Sequence, residues 1–180
     1  MYVCGPTVYN FLHVGNFRGP VFFNMLRNWL EKSGYQVEYA LNFTDIDDRI
    51  IDRANREKVT PSEISERYIA EYKTDFKKLG LKVHEHNPKV TDSLESIEVM
   101  IQKLLDTKKA YNVDGDIYFQ VDQFPTYGKL SGRNIDELMA GTRVETIESK
   151  KAPMDFALWK KAKPGEASWP SRWGAGRPGW

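Results

Sequence analysis

The sequence predicts an α/β fold built on a parallel sheet and interrupted by a small α+β insertion, and three observations carry that reading. A strand, a helix, a second strand and a second helix start follow one another between Tyr2 and Asp45. The spacing of apolar residues changes from helical to hairpin-like at Ala110, and an apolar β-prone run returns at Phe156-Ala157-Leu158-Trp159. Alternating strands and helices are the layout of a parallel sheet, because parallel neighbours need crossover connections.

Taken in order, Tyr2-Val3-Cys4 is a short β-prone run halted by Gly5-Pro6-Thr7. From Phe17, the residues Val21, Phe22, Met25, Leu26, Trp29 and Leu30 recur three and four apart, which predicts a helix, and Gly34 supplies its stop. Val37, Tyr39 and Leu41 alternate through residues 36–43, a strand, and Thr44-Asp45 follows as a helix N-terminus. Thr60 as cap, Pro61 at the first helical position and Glu63 placed for a capping box start a helix that runs to Leu79 before Gly80. A further helix over 92–109 carries Leu94, Ile97, Ile101, Leu104 and Leu105 on one face. Residues 110–113 and 117–121 flank Asp114-Gly115-Asp116, a β-hairpin. Residues 123–152 are polar with scattered turn formers. The predicted organisation is therefore a sheet domain over 1–83, an insertion over 84–152, and a return to the sheet domain over 153–180. Trp169, Trp173 and Trp180 lie among Gly and Pro, so the end at Trp180 reads as a cut inside a functional loop.

Composition narrows the function classes. The 180 residues are 41% hydrophobic and 28% charged, with a mean hydropathy of −0.57, which excludes disorder as the main state. No stretch approaches the roughly 18 apolar residues of a membrane helix, and the N-terminus lacks a leader pattern, so a cytoplasmic protein is expected. The 26 basic and 25 acidic residues leave a net charge of +1, so any RNA contact must be a local patch. The single cysteine, Cys4, has no internal disulfide partner and is left for packing or metal chemistry.

His13-Val14-Gly15-Asn16 falls where the first strand gives way to the first helix, the end of a parallel sheet at which ligands bind. Helix N–H groups can meet phosphate there, a glycine allows close approach, and a histidine adds a donor. A four-residue match alone equally describes a satisfied loop histidine. His84-Glu85-His86 could present two ligands on one side of a strand, but its surroundings read as a solvated inter-helix loop. Thr44-Asp45-Ile46-Asp47-Asp48 has a plain reading as a cap with acids in the first helical turn. The run from Gly174 to Gly179 reads either as a phosphate-approaching loop or as a pocket wall.

Longer motifs then agree with one another: residues 1–9 (Met1-Tyr2-Val3-Cys4-Gly5-Pro6-Thr7-Val8-Tyr9), His13-Val14-Gly15-Asn16, Asn42-Phe43-Thr44-Asp45-Ile46-Asp47-Asp48, Pro153-Met154-Asp155-Phe156-Ala157-Leu158-Trp159-Lys160, Trp169-Pro170-Ser171 and Gly174-Ala175-Gly176-Arg177-Pro178-Gly179-Trp180. In this order they closely resemble the cysteinyl-tRNA synthetase family of class I aminoacyl-tRNA synthetases, over nearly the whole chain. The resemblance implies a Rossmann-like catalytic domain with a connective insertion. It implies activation of L-cysteine with ATP and Mg²⁺ and transfer to tRNA(Cys), by a monomer. It assigns His13, Gly15 and Asn16 to ATP, with His13 and Asn16 catalytic, and Asn16 stands where the family's HIGH signature ends in histidine. It assigns Gly5, Thr44 and Trp180 to cysteine, and Cys4 to a Zn²⁺ whose other ligands lie beyond residue 180. A thiolate-binding metal separates cysteine from serine without an editing site. The family's Lys-Met-Ser-Lys-Ser signature is absent, so the 180-residue chain alone is expected to be inactive. Two alternatives stand beside this reading: a ligase joining cysteine to a glucosaminyl-inositol, and a truncated, non-catalytic nucleotide-binding module.

Overall fold

Met1 already belongs to a sheet, its carbonyl accepting the Ala40 N–H at 2.9 Å. In this computed structural model, which describes residues 1–132 and 150–179, strand β1 (Tyr2–Val3) runs parallel to β2 (Ala40–Leu41), with Tyr2 opposite Ala40 and Val3 opposite Leu41. Single parallel bridges extend the arrangement: Thr7 with Thr44, Ala40 with His86, and Phe43 with Lys89. β2 is thus the middle row and residues 86–89 form a third. Pro88 keeps that third row from becoming a regular strand. It has no N–H to give the Leu41 carbonyl, and the Asn87 side-chain amide donates there instead, at 2.8 Å.

The third row corrects two expectations. The first compact unit is Met1–Ser93, so the boundary is not at residue 83. His84-Glu85-His86 is not a solvated loop. Glu85 Oε2 accepts the Tyr39 N–H at 2.8 Å and Oε1 pairs with the Arg27 guanidinium. Arg27 Nη1 also donates to the Val83 carbonyl at 2.8 Å. Arg27 is buried, and a charge out of water needs these partners.

Helix α1 (Val14–Lys32) starts at the His13 cap, ahead of the predicted Phe17. Phe17, Pro20 and Arg27 are buried, and Phe17 stacks on Tyr72 at 5.8 Å. Val21, Phe22, Met25 and Trp29, whose spacing predicts the helix, line its exposed face. Helix α2 (Asp48–Glu57) is capped by Asp47, whose Oδ1 accepts the Arg49 N–H at 2.9 Å. The predicted start at Thr44-Asp45 is corrected because both residues are engaged elsewhere. Thr44 main-chain groups pair with Pro6 and Val8. The buried Asp45 carboxylate accepts the Val90 and Thr91 N–H groups and the Thr91 hydroxyl. Helix α3 (Pro61–Lys78) has its predicted box: Glu63 N–H donates to Thr60 Oγ1 and Thr60 N–H to Glu63 Oε2. Leu41, Phe43, Ile50, Ile64, Tyr68 and Tyr72 form the core between sheet and helices. The aliphatic and phenylalanine side chains among them contribute about 1.5–3 kcal/mol each on full burial.

The second unit, Leu94–Trp180, is antiparallel. It opens with α4 (Leu94–Asp106), which begins after a 3₁₀ turn at Thr91–Ser93 and is shorter than the predicted 92–109. The hairpin is as predicted, β3 (Ala110–Val113) and β4 (Asp116–Phe119). Asp114 (φ 52°) and Gly115 (φ 100°) are both left-handed, as a tight two-residue turn requires. Strand β5 (Phe156–Lys161) pairs antiparallel with β4, and β6 (Gly176–Pro178) with β5, giving the order β3-β4-β5-β6. The expectation that 153–180 rejoins the sheet of Tyr2 is therefore corrected. Buried Asp155 holds β5 beside the hairpin by accepting from the Tyr111 hydroxyl and the Val121 and Ala152 N–H groups. Phe119 stacks on Phe156 at 5.1 Å. Burial and this hydrogen bond push the Tyr111 phenol up to about 12. Within the 174–179 run, residues 176–179 are not a flexible loop but pack on β5: a Cβ on Gly176 or Gly179 would overlap the Lys160 or Ala157 carbonyl. Residues 133–149 of the polar stretch, and Trp180, lie outside the described residues. Among the described residues no helix is long and apolar enough to cross a membrane.

Candidate active site

The start of α1 is built by its own sequence. His13 is extended (φ −99°, ψ 169°), and its Nδ1 accepts the Gly15 N–H at 3.1 Å. Asn16 Oδ1 accepts the His13 N–H at 3.0 Å, and the Asn16 N–H donates to the His13 carbonyl at 2.9 Å. This reciprocal pair fixes two donors. With Nδ1 an acceptor, the neutral imidazole carries its proton on Nε2. With its oxygen used, the Asn16 carboxamide has its NH₂ left to donate. Gly15 makes room for the ring, since a Cβ there would stand 2.9 Å from His13 Cε1 and 3.0 Å from Nδ1. His13, Gly15 and Asn16 are all exposed, at the helix end where the macrodipole favours anions.

A second group forms at the ends of β1 and β2, in the same unit. Gly5 and Thr44, singled out in the sequence, are joined by Asn42, which was not. Asn42 Oδ1 accepts the Gly5 N–H at 3.0 Å and the Tyr2 hydroxyl at 2.9 Å, and Nδ2 reaches Thr44 Oγ1 at 3.5 Å. Asn42 sits between buried Leu41 and Phe43 on the strand's other side. A half-buried amide at that position is the signal that could have found it. The Cys4 thiol is exposed beside Gly5, its sulfur 3.7 Å from the Gly5 carbonyl.

His84 and His86 do not come together as ligands. His84 is buried edge-on to Tyr39 (4.4 Å) and beside Phe76 (4.6 Å), while His86 is exposed. Burial, with Arg27 acting the same way, holds the His84 imidazole below its ordinary range. Its Nε2 and the Tyr39 and Tyr72 hydroxyls, all buried, have no hydrogen-bond partner among the described residues. Burial pushes both phenols up. No group of three His, Cys, Asp or Glu among the described residues can hold a metal. The accessible Cys4 thiol fits zinc as one donor only, and a tetrahedral site needs more.

Residues 1–180 match the family described as tRNA synthetases class I (C) catalytic domain. The chain is 66% identical over 180 residues to the cysteine–tRNA ligase of Bdellovibrio bacteriovorus, covering all of this chain and 37% of that protein. It is 54% identical to that of Carboxydothermus hydrogenoformans, covering 39% of it, and 53% identical to that of Desulforamulus reducens, covering 37%, again over 180 residues. The chain thus spans between 37% and 39% of the length of these curated relatives.

Proposed function

Because the chain belongs to the family of class I (C) tRNA synthetase catalytic domains, we propose that it carries catalytic residues of a cysteine–tRNA ligase, and that it prepares L-cysteine for transfer to tRNA(Cys) with ATP. In the first step a cysteine carboxylate oxygen attacks the α-phosphorus of ATP. The bond from that phosphorus to the bridging oxygen of the β-phosphate breaks, giving cysteinyl-adenylate and pyrophosphate. A hydroxyl of the terminal tRNA ribose then attacks the acyl carbon, gives up its proton, and AMP departs. Such displacements leave the protein mainly positioning and charge stabilisation to do.

The observation that carries this reading is the reciprocal His13–Asn16 pair at the α1 N-terminus. It leaves the His13 Nε2–H and the Asn16 NH₂, both on exposed residues, to serve as donors for phosphate oxygens. ATP would arrive with Mg²⁺. Gly5, whose missing side chain lets the Asn42 carbonyl pack against it, would meet the amino acid through its own main chain, and Thr44, its oxygen facing the Asn42 amide, has its own hydroxyl hydrogen to offer. Trp180 belongs to the cysteine pocket in this proposal. Cys4 would give its thiolate to a zinc ion completed by ligands other than the described residues, and that ion would supply selectivity for sulfur. The test is cysteine-dependent ATP–pyrophosphate exchange by the full-length protein, expected with cysteine and negligible with serine. No exchange with cysteine would overturn the proposal.

A further inference from the structure

The segment leading into His13 leaves the sheet after Val8, whose N–H donates to the Thr44 carbonyl at 3.2 Å. Two arginines one turn apart on α2 face that segment. Arg49 donates from Nη2 to Thr7 Oγ1 at 2.9 Å and from Nε to Asp47 Oδ1 at 2.8 Å, and lies 4.9 Å from the Tyr9 ring centroid. Arg53 reaches further along. Its Nη1 donates to Asn10 Oδ1 at 2.8 Å and to the Tyr9 carbonyl at 3.2 Å. Nε pairs with Glu57 at 2.6 Å, and the guanidinium lies 4.8 Å over the Tyr68 ring. Phe11 packs edge-on against the same ring at 5.3 Å, and Asn10 Oδ1 also accepts the Phe11 N–H at 2.9 Å. Glu57 is held in turn by Arg67 at 2.6 Å.

We infer that Arg53 is a positioning residue for His13: it fixes the 9–11 loop against α2 and α3, and so sets where the α1 N-terminus presents the imidazole. The inference rests on the phosphate role proposed for His13. Two features single out Arg53. Its planar fork is oriented by Glu57 on its own helix, so it can hold a loop in one place as a flexible ammonium could not. Its partners are the Tyr9 carbonyl and the Asn10 side chain, four and three residues upstream of His13. The His13–Asn16 cap is internal to α1 and does not need Arg53 to form, so loss of Arg53 shifts the donor without removing it. A displacement of about 1 Å in a group that meets developing charge can cost on the order of 10²-fold in rate.

The experiment is cysteine-dependent ATP–pyrophosphate exchange on the full-length protein as wild type, Arg53→Ala, Arg53→Lys, His13→Ala and the Arg53→Ala/His13→Ala double variant. Arg53→Ala should lower kcat roughly 10- to 100-fold and leave the cysteine KM unchanged, with partial recovery in Arg53→Lys. In the His13→Ala background Arg53→Ala should cost nothing further, because the two act as one unit. A full multiplicative loss in the double variant, or a raised cysteine KM at unchanged kcat, overturns the inference. If Arg53→Ala does not fold, Asn10→Ala decides, since it removes one acceptor and keeps the Glu57 and Tyr68 contacts; unchanged kcat there also overturns the inference. Absence of exchange in the wild type would instead sink the proposed function and leave Arg53 out of account.

Discussion

Gly5 and Asn42 meet at a distance no side chain could share: a Cβ on Gly5 would overlap the Asn42 carbonyl oxygen and stand 2.7 Å from Leu41 Cδ2. The obstruction is largely backbone, so the neighbour cannot swing aside. Gly5→Ala should push the ends of β1 and β2 apart at a cost of about 1–3 kcal/mol, as overpacking generally does. Urea unfolding of both proteins measures this, and wild-type stability in the variant would refute it.

His13→Ala in the full-length protein should slow adenylate formation by about 10²-fold or more, the usual loss for one donor aimed at developing charge. The cysteine KM should not move, because the donor acts chiefly in the transition state. Gly15→Ala should reproduce part of that loss, since its methyl group would crowd the folded-back imidazole. Pyrophosphate-exchange kinetics distinguish the outcomes: unchanged kcat with a raised cysteine KM would remove His13 from the phosphates.

Burial holds the His84 imidazole below its ordinary 6.5, and the Arg27 charge reinforces this. Below about 6.5 the unfolded chain binds a proton that the folded chain does not, so the stability from neutral His84 is complete above that value. It is lost as pH falls from there through the lower folded value. The thermal midpoint should therefore fall between about pH 7 and about pH 5, and His84→Phe should flatten that slope. A slope equally steep in the variant would assign it to other groups.

Zinc should follow Cys4 only where enough further ligands are available. The full-length protein should hold one zinc that Cys4→Ser releases, and the isolated 180-residue chain should hold none through dialysis, because one thiol cannot make a tetrahedral site. Metal content by mass spectrometry on the three samples is the check. Stoichiometric zinc in the isolated chain would mean that His84 or His86 reaches Cys4.

Elements specified within one turn of chain were legible in the sequence. Thr60, Pro61 and Glu63 announce α3, and Asp114-Gly115 announces the hairpin, because each signal and its effect are neighbours. The His13–Asn16 pair is just as local, but the apolar periodicity that announces α1 begins only at Phe17, so the cap itself was not read. Distant partners decided the rest. Thr44 and Asp47 are both good caps, and only the pairing of Thr44 with Pro6 and Val8 gives the helix start to Asp47. The third row at 86–89 depends on Arg27 and Tyr39 capturing Glu85. β5 reads as a buried strand from its residues, but nothing in them says which sheet it joins. Asn42 and Tyr2 acquire a place near Gly5 and Thr44 only once β1 lies along β2.

Two buried carboxylates, Asp45 and Asp155, act as latches, one in each unit. Each gathers donors far away along the chain: Val90 and Thr91 for Asp45, and Tyr111, Val121 and Ala152 for Asp155. When such a carboxylate lets go, the amides it holds lose their acceptor together, so each set should open as one event. Hydrogen exchange should then give Val90 and Thr91 one opening free energy, and Val121 and Ala152 another. Asp45→Ala, which removes the acceptor, should speed the first pair and leave the second untouched.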